Sequence, residues 1–164
     1  MILAIDPSSS AIGFAGMTSA RHLDHVGVIT PDKSKAPVLD RLPGMLDELL
    51  AVVVELAPKV IVIEMPQKHA KKHGGHSGAS LAFYGWACGA VWQMCRTLTY
   101  RMDLRVVAVG SGTWSKTSKE MRALGVRSEF KQLAKLKDSG MDASDAVALA
   151  QWWHERNRII KEAV

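Results

Sequence analysis

The chain has 164 residues, with 21 Lys plus Arg against 16 Asp plus Glu, a formal charge of +5, and 48% hydrophobic residues. That balance suits one folded domain over 1–164 with its own core, and it excludes wholesale disorder or dependence on a disulfide or metal staple. No apolar stretch is long and charge-free enough for a membrane span or signal peptide, and Cys88 and Cys95, about 10 Å apart along one expected helix, are too distant to bridge, so a cytoplasmic setting is expected.

Met1 to Asp6 is an apolar run ending in a carboxylate and reads as a buried strand. Pro7-Ser8-Ser9-Ser10 is turn chemistry, and Ile12, Phe14 and Gly16 then predict an antiparallel hairpin partner. His22 to Thr30 reads as a third strand, closed by Pro31. The apolar spacing from Leu39 to Leu56 predicts an amphipathic helix, with Asp40 as N-cap, Pro43 in the first turn, and Pro58 marking the stop. Lys59 to Glu64 is a second buried run ending in a carboxylate. Met65 to Gly78, rich in Lys, His and Gly, reads as a basic loop.

Helical spacing resumes from Ala79 to about Leu98, with Leu81, Gly85, Cys88, Gly89, Trp92 and Cys95 on one side, and the two glycines are expected to admit another backbone. Leu104 to Val109 is a further strand. A helix through Trp114, Met121 and Leu124, ended by Gly125, a short basic helix within Arg127 to Lys137, and a last helix from Asp142 to about Lys161 complete the series. Consecutive strands at the start imply antiparallel pairing, and the strand–helix–strand units that follow imply parallel additions. The expected fold is α/β, a mixed five-stranded sheet with helices on both faces.

Most acids fall on solvent faces of helices, but four do not. Asp6 and Glu64 each terminate an apolar run, where a carboxylate is costly unless something binds it. Asp142 and Asp145 stand three apart at the start of the last helix and share a face, a place that the helix dipole alone also favours for acids. In an open sheet with parallel central strands, functional groups collect outside the carboxyl ends of those strands. Four converging carboxylates need cations, and hard oxygen donors suit Mg²⁺ or Mn²⁺, of which two per site can cleave a phosphodiester. A basic chain with that set reads as a nuclease.

These residues also carry a resemblance. Ile2-Leu3-Ala4-Ile5-Asp6-Pro7 with Gly13, Val60-Ile61-Val62-Ile63-Glu64, Val109-Gly110-Ser111-Gly112 with Lys116, and Asp142-Ala143-Ser144-Asp145-Ala146-Val147-Ala148-Leu149-Ala150 resemble, in order and spacing, the RuvC family of Holliday junction resolvases. The resemblance implies an RNase H-like fold, a homodimer with two sites, and metal-dependent paired nicking of four-way DNA junctions. It implies that Asp6, Glu64, Asp142 and Asp145 are the catalytic, metal-binding acids and that Lys116 acts near the scissile phosphate. Ser8 stands where the family has Gly, and Gln67 where it has an aromatic residue, as in a divergent, phage-type member.

Lys68, Lys71 and Lys72 in the basic loop are candidate phosphate contacts, and Lys116, Lys119 and Arg122, three apart, form a candidate DNA-facing stripe or a plain outer helix face. His69, His73 and His76 have a spacing that also allows a transition metal. The Gly85, Gly89 and Trp92 surface is the candidate dimer contact, and core packing is favoured for Trp86 and Trp114 over base stacking. Two other functions remain open, cleavage of flapped DNA or structured RNA in the same fold and a non-catalytic RNase H-like binding module, which would not need all four acids. Ser8, Ser9 and Ser10 also resemble the phosphate-gripping hairpin of actin-like ATPases, but that fold needs two duplicated domains and 164 residues suit one.

Overall fold

The computed structural model describes residues 1–31, 37–66 and 78–162, with backbone alone for 78–80 and 158–162. β1 (Ile2–Pro7) is the middle strand of a five-stranded sheet, paired antiparallel with β2 (Ile12–Ser19) and parallel with β4 (Val60–Met65). β3 (His22–Ile29) and β5 (Arg105–Gly110) form the two edges, giving the order β3-β2-β1-β4-β5. The chain therefore has the mixed α/β sheet that its element order implies.

The period-two alternation of strand side chains divides the core. Leu3, Ile5, Ile12, Ile61 and Ile63 pack on one face against α1 (Val38–Leu56) and α2 (Gly78–Leu98). Ile2, Ala4, Ala15, Met17 and Val62 pack on the other against α6 (Asp142–Glu162), with α4 (Lys119–Glu129) and α5 (Lys131–Ala134) beside it. Each fully buried Leu or Ile contributes about 1.5–3 kcal/mol from burial. The same parity carries Asp6 and Glu64 onto the α6 face, because they follow Ala4 and Val62 by two residues.

Several local expectations change. Helix α1 begins at Val38 rather than after Asp40, so Pro43 is its sixth residue and sits inside it. The ring is on the exposed side, where the lost hydrogen bond leaves a carbonyl that water can reach. The helix stops at Ala57, which adopts a left-handed φ of 43° before Pro58. The single helix expected through Trp114, Met121 and Leu124 is two, α3 (Ser111–Trp114) and α4, because Ser115 and Ser118 are extended and their hydroxyls bond locally, to the Thr117 carbonyl and from the Met121 amide. Gly125 lies within α4, and Arg127 in its last turn.

On α2, Leu81 is exposed and an added Cβ at Gly85 or Gly89 meets nothing within 4 Å, so no backbone among the described residues uses them. Cys88 and Cys95 are buried and free, Trp114 is buried, and Trp86 is 51% exposed. No helix among the described residues is long and apolar enough to cross a membrane.

One close approach fixes the sheet against α6. Gly13 pairs with Asp6 across β1 and β2, and a Cβ there would lie 2.1 Å from the carbonyl carbon of Asp142 and 2.5 Å from the amide of Ala143. The first turn of α6 thus rests on bare strand backbone beside Asp6. Gly13→Ala is expected to lower stability by about 2–4 kcal/mol, since both contacts are backbone and neither can rotate away. Urea unfolding measures that loss; a change below about 0.5 kcal/mol would contradict the contact.

Candidate active site

Ile5 pairs with Ile63 in the parallel β1–β4 register, so Asp6 and Glu64, one residue further on each strand, leave the sheet side by side at its carboxyl end. Asp142 and Asp145, one turn apart at the start of α6, come down onto the same spot over Gly13. All four are buried, and together with Ser8, Tyr84, Lys119 and Arg122 they line a cavity of about 490 Å³.

Two cations from α4 enter the cluster. The Lys119 ammonium donates to Asp142 Oδ1 at 2.8 Å and to Asp6 Oδ2 at 3.4 Å, and stands 3.2 Å from Asp145 Oδ2. Arg122 donates from Nε to Asp145 Oδ1 at 2.9 Å and from Nη1 to the Ser115 hydroxyl and the Thr117 carbonyl, while its guanidinium lies 4.9 Å over the Trp114 ring.

Two cations do not balance four acids, and the acids respond. Burial, then repulsion from Glu64, holds Asp6 well above the ordinary carboxylate range against the pull of Lys119. Burial, then Asp145, pushes Glu64 up to about 7, and burial likewise raises Asp142. Burial lowers Lys119, but Asp6, Asp142 and Asp145 more than offset this and hold its ammonium charged. The raised acids take up protons more readily than free carboxyls do, which lessens the imbalance.

The start of α6 has its own anchor. Asp138, whose side chain is wholly buried, accepts from the Ala143 amide at 3.1 Å, the Ser144 amide at 3.0 Å and the Ser144 hydroxyl at 2.7 Å, with Arg127 Nη2 at 3.4 Å. It supplies a carboxylate to otherwise unpaired amides of the first turn, which sets where Asp142 and Asp145 point. Between Asp138 and the start of α6, Met141 has a φ of 59°, a left-handed conformation that these bonds hold in place.

The structure brings together Asp6, Glu64, Asp142 and Asp145 and adds Lys119 and Arg122, which were expected on a stripe facing DNA. Lys116 lies elsewhere: it is exposed in the 115–118 segment and lines a second groove with Trp114, Trp152 and Arg156. The break at Ser115 is the reason, since Lys116 and Lys119 then share no helix face. Lys68, Lys71, Lys72, Gln67 and His69, His73 and His76 fall outside the described residues. Sequence reading missed Tyr84, whose only signal was its place four residues before Cys88; burial, then Cys88 and the acids, keeps its phenol protonated. Asp138 was missed because its partners, five and six residues ahead, match no local capping pattern.

No family model matches the chain, and no curated protein matches it in sequence. Among solved structures, Thermus thermophilus RuvC in complex with a Holliday junction substrate is similar with a TM-score of 0.66 at 21% identity, over 97% of this chain and 96% of that one. A fowlpox virus resolvase with its Holliday junction DNA reaches 0.57 at 13% identity, over 94% and 97%. The yeast mitochondrial Holliday junction resolvase reaches 0.51 at 12% identity, over 99% and 84%. At these identities the likeness establishes the fold, which this chain shares with those proteins nearly end to end.

A pH dependence follows from Glu64. Its folded value of about 7 lies above the ordinary 4.5, so between those values the native state keeps a proton that the unfolded chain releases. Stability without metal therefore falls as pH rises from about 4.5 to 7, by about 1–3 kcal/mol. Urea unfolding in chelator at pH 5 and pH 8 measures the drop, and Glu64→Gln is expected to shrink it; an undiminished slope in that variant would refute the assignment.

Proposed function

We propose that the chain is a single-domain RuvC-like endonuclease that resolves four-way DNA junctions by metal-dependent hydrolysis, acting as a homodimer. One observation carries the reading: four buried carboxylates from β1, β4 and α6 converge in one cavity, in a fold shared with proteins solved on Holliday junctions.

The donor set fits hard divalent cations. All four side chains offer oxygen, and Glu64 Oε2 is buried with no hydrogen-bond partner, an acceptor that a cation would satisfy. As they stand, no three His, Cys, Asp or Glu among the described residues are disposed to hold one ion, and the Lys119 ammonium lies where three of the acids meet. Asp6, Glu64, Asp142 and Asp145 are the residues that would ligate Mg²⁺ or Mn²⁺, two ions per site. Bound there, such ions supply an activated water and stabilise the leaving oxygen of a phosphodiester.

The chain's own groups do the rest. Arg122, fixed by Trp114 and the Ser115–Thr117 backbone, keeps a positive charge beside Asp145 at the edge of the cavity, where it also favours an incoming phosphate. Lys116, in the adjoining groove, and Lys68, Lys71 and Lys72 add phosphate contacts along the DNA. For the second copy the exposed side of α2 is the favoured contact: Gly85 and Gly89 leave its surface low, and the exposed indole beside them is Trp86, whereas Trp92 packs partly into the core.

Cleavage of a four-way junction, a flap, a linear duplex and a structured RNA, with Mg²⁺ and with chelator, tests the reading. Paired nicks in the junction are expected, abolished by chelator and reduced at least about a hundredfold by Asp6→Asn. Preference for flap or RNA would move the substrate, and equal activity of both proteins without metal would end the mechanism. Light scattering on the junction complex checks the assembly: a dimer mass is expected, lowered by Trp86→Glu, and a monomer mass for the wild type would refute it.

A further inference from the structure

Lys119 has an unusual set of partners. Its ammonium has three protons to donate, and three different carboxylates, Asp6, Asp142 and Asp145, lie 2.8–3.4 Å from it. The acids come from a strand in the middle of the sheet and from a helix packed over it, so one side chain ties together groups that would otherwise repel across the cavity. The other cation is held differently. Arg122 is fastened by two further hydrogen bonds and by the Trp114 ring, whereas the bonds of Lys119 all run to the acids themselves. Lys119 is the first residue of α4, its side chain is one-third exposed, and its flexible four-carbon stem leaves the ammonium room to swing out.

We infer that Lys119 is a displaceable internal counter-ion, a positioning residue that gathers Asp6, Asp142 and Asp145 until a divalent cation enters and expels its ammonium from the cluster. This rests on the metal-dependent reading of the site. Two electrostatic arguments carry it. An ammonium and a divalent ion sharing the same carboxylates repel each other strongly at the reduced dielectric of a partly buried site, so the two occupancies exclude one another. Lys119 and Arg122 together also leave the four acids under-neutralised, as the unpartnered Glu64 Oε2 records, so a doubly charged ion in place of the ammonium is favoured. The ammonium thereby keeps the acids assembled without metal, and the exchange brings no change of fold.

Titration calorimetry with Mn²⁺ at pH 8 tests this on the wild type, Lys119→Met and Lys119→Gln, with Lys131→Met, an exposed lysine on α5, as a charge-matched control. Both Lys119 variants are expected to bind Mn²⁺ at least about tenfold more tightly and to melt lower without metal, the melting difference closing at saturation. The Lys131 variant should change neither. Unchanged or weaker Mn²⁺ binding in both Lys119 variants, with the wild type binding normally, would overturn the inference while sparing the metal site. A wild type that binds no Mn²⁺ would overturn the metal reading and the inference with it. Should the variants not fold, ζ-nitrogen NMR of labelled lysine in the wild type decides: the Lys119 signal must shift on Mg²⁺ saturation, and an unmoved signal overturns the exchange.

Discussion

Everything at the carboxyl end of this sheet answers to one electrostatic constraint, the mutual repulsion of four acids held out of water. Burial raises Asp6, Glu64 and Asp142, and neighbouring acids raise them further, so each holds its proton more tightly than a free carboxyl does. The fold nevertheless drives them together. Parallel pairing of β1 with β4 sets Asp6 beside Glu64, and Gly13 clears the space in which the first turn of α6 delivers Asp142 and Asp145. Such an arrangement is a standing cost to stability, and it is tolerable because cations or protons are there to share it.

The supports differ in stiffness. Asp138 grips the amides at the start of α6 and Arg122 is clamped over Trp114, so the acids of α6 and one positive charge are held firmly. Lys119 is attached only through the groups it neutralises. A site built this way can keep its shape while its charge is exchanged, which is what the proposed loading with cations and then with a polyanion would demand.

The overall charge takes on a different meaning in this light. A formal +5 on 164 residues is a mild bias toward polyanions. Two of its contributors, Lys119 and Arg122, are turned inward to the acids and not outward to a partner. Under the proposed exchange, metal entering the cluster would return Lys119 to the surface, so the field presented to a phosphate backbone would depend on what the acids hold.

The sequence alone determined the sheet and its acids. Apolar runs that end in Asp6 and Glu64, and the strand–helix order around them, encode a mixed sheet with two carboxylates at one end, because period-two alternation and crossover handedness are local or nearly local rules. What it could not convey were choices made by contacts across the fold. Pro43 stays inside α1 because its ring faces solvent, α3 and α4 separate because serine hydroxyls compete with helix hydrogen bonds, and Gly85 and Gly89 face open space. Only the tertiary structure decided that Lys119 and not Lys116 reaches the acids, and that Asp138 anchors the helix bearing two of them. Those outcomes depend on where an ammonium or a carboxylate ends up in three dimensions, 23 residues from Asp142 in one case and five from Ala143 in the other.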